Sequence, residues 1–111
     1  VEDDLRNLPA VSVPSVRAAL LSLNAAAEAW KPGDSEPAWP IKVVPESDTR
    51  INLGLCNFTD SDGVKRLFSL HTRFRPKPGR IHLRVVTEEE GVRIGYIGRK
   101  RLTEDVPRSS R

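Results

Sequence analysis

The alternation of apolar and polar positions divides the chain into one helical segment and a series of strands. Val16, Ala19, Leu20, Leu23, Ala27 and Trp30 recur three or four positions apart, which lines one side of an α-helix. Ser12 is placed to cap this helix, and Pro14 suits a first turn in which a missing N–H loses no partner. Ala and Leu dominate the interval, so a helix is predicted over 14–30, stopped by Lys31-Pro32-Gly33. Residues 1–13 read as an irregular lead-in in which Glu2, Asp3 and Asp4 precede Leu5 and Leu8.

Beyond the helix the period changes to two. Residues 31–40, KPGDSEPAWP, form a loop whose flanking Trp30 and Trp39 are expected to cover the edge of the core. Strands are expected at Ile41–Val44, Ile51–Cys56, Val64–Phe74, Ile81–Val85 and Val92–Tyr96. The intervening PESDTR, Asp60-Ser61-Asp62-Gly63, Arg75–Gly79 and Glu88–Gly91 carry turn chemistry. Gly95 marks a bulge or a close backbone approach. Short turns between successive strands imply an antiparallel meander, and the helix must bury its stripe against it. The expected fold is α+β: one amphipathic helix packed on a four- to five-stranded antiparallel meander sheet, a single domain over 14–101 with a polar tail at 102–111.

Composition fits this picture. The chain has 111 residues, of which 38% are hydrophobic and 30% charged, enough for one soluble domain with its own core. The lone Cys56 excludes an intrachain disulfide and favours a reducing compartment, so a cytoplasmic location is expected. Arg17, Asn24 and Glu28 interrupt the longest apolar stretch, so no bilayer span and no membrane partner are expected, and the start lacks a signal-peptide pattern. Because the chain begins with Val1 and contains no Met, a piece cut from a longer protein is favoured over a processed chain.

Charge sharpens the picture. Residues 1–63 carry five basic and ten acidic side chains, whereas residues 64–101 carry eleven basic and three acidic ones. Such segregation points to a basic surface aimed at an anionic partner, or docked on the protein's own acidic half. Alternation assigns that surface to named residues. If Ile81, Leu83 and Val85, with Val92, Ile94 and Tyr96, face the helix, then Arg80, His82, Arg84 and Arg93 face away. His71, Arg73 and Arg75 join them from the preceding strand, and Arg99, Lys100 and Arg101 follow at the end. Arg73, Arg75, Arg80, Arg84, Arg93, Arg99, Lys100 and Arg101 are the candidate nucleic-acid contacts, since a guanidinium fork matches phosphate oxygens. Aromatics are scarce there, which argues against base stacking.

Catalytic chemistry is thinly represented. His71 and His82 are the candidate general acid–base pair, because imidazole titrates near neutrality. A metal site from His71, His82 and Cys56 is set aside, because the spacing matches no standard ligand pattern and nearby cations oppose it. No cofactor is expected. Asp60-x-Asp62-Gly63 lacks the remaining ligands of a calcium loop and reads as a hairpin turn. Gly91, Gly95 and Gly98 follow no strand-to-helix transition, and Ser47, Ser61 and Ser69 have no His–acid constellation around them. Cys56 is expected to pack as a small side chain.

Residues 79–101, GRIHLRVVTEEEGVRIGYIGRKR, resemble the C-terminal half of the RelE/ParE-like toxins, with an Arg-bearing strand, a turn, and an apolar strand ending in Ile-Gly-x-Arg. The resemblance implies a small α+β fold that binds RNA at the ribosome or inhibits a DNA topoisomerase. It makes Arg84 and Arg99 candidates for phosphate contacts. The chain departs from the family in lacking its N-terminal strand, its two-helix hairpin and its terminal Tyr. The leading expectation is a nucleic-acid-associated binding domain holding RNA or DNA backbone, with toxin-like RNA cleavage through His71 or His82 as a variant of it. The rival is a protein-interaction or accessory domain of a larger bacterial-type protein, whose basic face meets an acidic protein partner or adjacent domain.

Overall fold

The computed structural model describes residues 1–102 and Asp105. Helix α1 spans Glu2–Arg6, and a single 3-10 turn at Ala10–Ser12 leads into the long helix α2, Val13–Glu28. There follow β1 (Val44–Pro45), α3 (Asp48–Asn52), β2 (Asn57–Thr59), β3 (Lys65–Leu67), β4 (Leu70–Phe74), β5 (Gly79–Val86) and β6 (Gly91–Arg99). Four strands form one antiparallel sheet in the order β1-β4-β5-β6, and β2 and β3 pair as a separate hairpin. The fold is α+β, with one long helix on an antiparallel sheet whose last three strands are a meander.

Helix α2 lies where its periodicity puts it. Val16, Ala19 and Leu23 are buried against Phe74, Ile81, Leu83 and Ile97 of the sheet. Each such side chain contributes about 1.5–3 kcal/mol by leaving water. Ala26 is buried where Ala27 was expected, and Trp30 is buried with its indole N–H donating to the Asp34 carbonyl at 3.0 Å. Trp39 packs half-buried against the same core. The segment Ala10–Glu28 does reach the length and hydropathy of a membrane span, with 19 residues at mean hydropathy 1.3, contrary to expectation. In the fold its apolar stripe serves as core.

Four expectations are corrected. Residues 1–13 are not irregular: α1 sits beside β6, and the Asp4 carboxylate accepts from the Ile97 amide at 3.1 Å. The strand expected at 51–56 is instead the end of α3 followed by a turn over 53–56, because Ser47 caps α3 by accepting from the Arg50 amide and Asp48 occupies its first turn. The strand expected over 64–74 is broken at Phe68-Ser69, so β3 leaves the sheet to pair with β2 while β4 stays. The first strand shrinks to Val44–Pro45. Of the tail expected over 102–111, only Leu102 and Asp105 are among the described residues, and there the Asp105 carboxylate accepts from the Leu102 amide at 2.7 Å.

The irregularity expected at Gly95 is present. His82 pairs with Tyr96 and Leu83 with Ile94, so Gly95 has no partner across the ladder. The extra residue puts Ile94 and Ile97 on the α2 side, while Tyr96 changes face and joins His82, contrary to its expected inward position. A Cβ on Gly95 would lie 2.7 Å from Cγ of the buried Phe68 ring. Gly95→Ala is therefore expected to destabilise the protein by about 2 kcal/mol through overpacking, read as a lower urea midpoint with unchanged slope.

Candidate anion-binding interface

The sheet face turned away from α2 is not open. Its centre is a second buried layer supplied by the chain between β1 and β4. Phe58 of β2 stacks on Tyr96 at 5.1 Å between ring centroids and lies 5.3 Å from His82. Phe68 meets Phe58 edge-on at 6.2 Å, and its amide donates to the Cys56 carbonyl at 2.8 Å. Leu55, Cys56 and Phe68 are all buried. Strand alternation placed His82 on the correct face; what the sequence did not disclose is that this face is covered.

The expected histidine pair accordingly lies inside. His82 is 0% exposed and His71 6%. The two face each other across β4 and β5 with ring centroids 6.1 Å apart. Burial pushes His82 down to about 4, Glu46 opposes that shift and His71 adds to it, so the ring is neutral at pH 7. Burial also lowers His71, with Glu46 opposing. A substrate has no access to His82, so the two rings cannot work together as an acid–base pair on an open face. Among the described residues neither His82 nitrogen has a hydrogen-bond partner.

The candidate arginines divide into two ends. At one end they are neutralised. Arg84 donates Nε to Asp60 Oδ2 at 3.2 Å and Nη2 to the same oxygen, and Arg66 Nη1 reaches it at 3.0 Å. The hydrogen bond from Arg84 holds the Asp60 carboxyl below its ordinary range. Arg66 also grips Asp62 Oδ2 at 2.7 Å, and Arg93 grips Glu89 Oε2 at 2.6 Å. These acids are two residues of the Asp60–Gly63 turn, where Gly63 takes φ 83°, and one of the short turn before β6. Arg84 is thus committed internally, and Arg93 is held in an exposed ion pair. Arg101 is structural as well: its guanidinium sits over the Phe58 ring at 4.9 Å and donates to the Leu55 carbonyl at 3.4 Å.

At the β4–β5 hairpin end the cations keep their charge. The register pairs Arg73 with Arg80 and Gly79 with Arg99, and the Lys100 amide donates to the Pro78 carbonyl at 2.6 Å. Arg73, Arg75, Lys77, Arg80, Arg99 and Lys100 therefore gather around one hairpin. Among the described residues no carboxylate lies within ion-pair distance of Arg73, Arg75, Lys77, Arg80 or Lys100; Arg99 reaches Asp105 at 3.5 Å. Arg80 is only 8% exposed, and its one hydrogen bond goes to the Gly79 carbonyl at 3.1 Å. Burial and the neighbouring Arg73 lower its affinity for its own proton. Lys77 was missed because it lies in a turn, outside the alternation that found the others.

A groove of about 520 Å³ opens beside this end, between α2 and the edge of β4. Ser15, Ser22, Lys42, His71, Thr72 and Arg73 give it polar and cationic walls, and Ala18, Ala19 and Ile41 give it an apolar floor. It exists because β1 pairs only with Leu70 and His71, so the outer edge of Thr72–Phe74 has no strand beside it. Ser15 Oγ accepts from the Arg75 amide at 2.9 Å and fixes where the chain leaves β4. No known protein family, curated protein or solved structure matches this chain.

Proposed function

We propose that the protein is a binding module for a nucleic-acid backbone, which it holds at the β4–β5 hairpin end rather than across the centre of the sheet. The observation that carries this is the cross-strand pair Arg73–Arg80, two arginines opposite one another in the ladder with no carboxylate within ion-pair distance among the described residues. Like charges directly opposite one another destabilise a sheet, and an anion lying across the pair would relieve that repulsion. Phosphodiester oxygens fit a guanidinium fork, and Arg75, Lys77, Arg99 and Lys100 extend the positive field along the hairpin. The groove beside Arg73 adds Lys42 and hydroxyl groups of the kind that contact phosphate and sugar. Of the two phosphate contacts implied by the toxin resemblance, Arg99 belongs to this end and Arg84 is held by Asp60. The proposal is binding without cleavage, since His82 is sealed from solvent.

The test is fluorescence anisotropy with a labelled duplex and a labelled single strand over a salt series. Binding is expected to weaken linearly in log–log form, by about 0.9 in slope for each phosphate neutralised on a duplex. Replacing Arg75, Lys77 and Lys100 together by Ala should lower that slope by about 2–3 while leaving thermal stability unchanged. Replacing Arg93 by Ala should leave it unaltered. Absence of binding to either probe at about 50 mM salt would exclude the proposal.

The open edge of β4 favours a second occupant of the same groove. An extended acidic segment of a partner protein can add a strand beside Thr72–Phe74 while its carboxylates meet Lys42 and Arg73. An acidic peptide that binds while polynucleotides fail to compete would select this partner over a nucleic acid.

A further inference from the structure

Beneath the second layer lies a cluster that the binding surface does not use. One oxygen of Glu46, the Cys56 sulfur and one ring nitrogen of His82 lie within 4.8 Å of one another. Donors around a tetrahedral zinc ion stand about 3.4–3.8 Å apart, as metal–ligand lengths of about 2.0–2.3 Å require. The three groups are thus within a small adjustment of ligating distance. We propose that Glu46, Cys56 and His82 supply the three protein donors of a buried zinc site whose fourth position is taken by a water.

Three observations converge on it. First, His82 is wholly buried and, although the Phe68 backbone lies near the ring, neither ring nitrogen makes a well-aligned hydrogen bond among the described residues, a condition native interiors rarely tolerate. A metal–nitrogen bond would satisfy one of them. Second, the donors come from separate segments that are locked together: the Glu46 amide donates to the Ser69 carbonyl at 2.7 Å and the Phe68 amide to the Cys56 carbonyl at 2.8 Å, while His82 is central in β5. Third, the Glu46 carboxylate is placed by its neighbours, with Arg50 Nε at ion-pair distance, 3.2 Å from Oε1, and His71 Nδ1 3.5 Å from Oε2, neither nitrogen making a hydrogen bond among the described residues.

A mixed thiolate, imidazole and carboxylate set suits zinc better than magnesium or calcium, which take oxygen alone. Charge also balances within the donor set. Binding expels the Cys56 thiol proton to solvent, and one dication then meets one thiolate, one carboxylate and a neutral imidazole. Arg50 stays beside Glu46 and leaves one positive charge over; its Nη2 donates to the Arg101 carbonyl at 2.9 Å. The aromatic lid of Phe58 and Phe68 leaves no route for a substrate, so the role is structural.

The full chain, stripped with a chelator, would be titrated with Zn²⁺ in competition with a chromophoric chelator and separately loaded with Co²⁺. One equivalent should bind, the cobalt form should show tetrahedral bands with thiolate-to-metal charge transfer, and about 100 Kd of free zinc should raise the melting temperature by roughly 10 °C. Cys56→Ser is close in size and should fold; it should abolish the charge-transfer band and weaken zinc binding by roughly 100-fold or more. Absence of stoichiometric binding to the folded wild type, or wild-type affinity in Cys56→Ser, overturns the site. Neither result bears on nucleic-acid binding, which is measured independently.

Discussion

Phe68→Ala is expected to lower stability by about 3–5 kcal/mol, the largest loss anticipated for any single truncation of this chain. The ring is 0% exposed and fills the notch left by Gly95, meets Phe58 edge-on and lies under the Arg84 guanidinium at 5.6 Å. Nothing flexible is placed to fill the void, because the walls are backbone at Gly95 and the fixed second layer. Urea unfolding followed by tryptophan fluorescence would measure the loss. A drop below about 1.5 kcal/mol would mean that the second layer is not packed as described.

Asp60→Ala comes next, with an expected loss of about 3 kcal/mol. That is the low end for breaking a buried ion pair, because Arg84 and Arg66 are partly exposed and water screens them. The Asp60 side chain is 6% exposed and accepts from Arg84, Arg66 and the Ser61 amide, so its removal strands Arg84, while Arg66 keeps Asp62. The pH dependence has a definite sign. Hydrogen bonding from Arg84 lowers the folded-state pKa of Asp60, so its contribution is complete above the unfolded carboxyl value of about 3.9 and is lost as pH falls further, through the folded value. Urea midpoints of the wild type and Asp60→Asn should therefore differ most at neutral pH and converge as pH drops below about 4. A constant gap down to pH ~2 would contradict the depressed pKa.

What the sequence disclosed and what it hid have separate physical causes. Helix α2 was legible because a 3.6-residue period over sixteen residues admits no other structure. The meander β4-β5-β6 was legible because Ile81, Leu83 and Val92, Ile94 alternate cleanly between turns. The hairpin β2–β3 was not, because INLGLC alternates like a strand while the cap at Ser47 turns its first part into helix. That single error propagated. With no second layer in view, the face bearing Arg80, His82 and Arg84 looked open, since alternation says which side chains share a face and not whether anything covers it. Arg73, Arg75, Arg80, Arg99 and Lys100 were nevertheless brought to one end of the sheet, while Arg84, Arg93 and Arg101 found partners within the chain. The Glu46, Cys56 and His82 cluster has no local motif and was set aside on spacing, because only the folded chain brings those segments together.

The excursion between Glu46 and Ser69 leaves and rejoins the sheet at points one hydrogen bond apart. Its ends are held by β1 and β4 whether or not its interior is docked. Such a segment can come away as a cooperative unit, at a free energy below that of global unfolding, while α2 and the meander stay assembled. Because the ends are already joined, reclosing carries little further loop entropy. Access to the interior beneath this segment is therefore a matter of how often one hinged section detaches, and anything that bridges it to the sheet makes that detachment rarer.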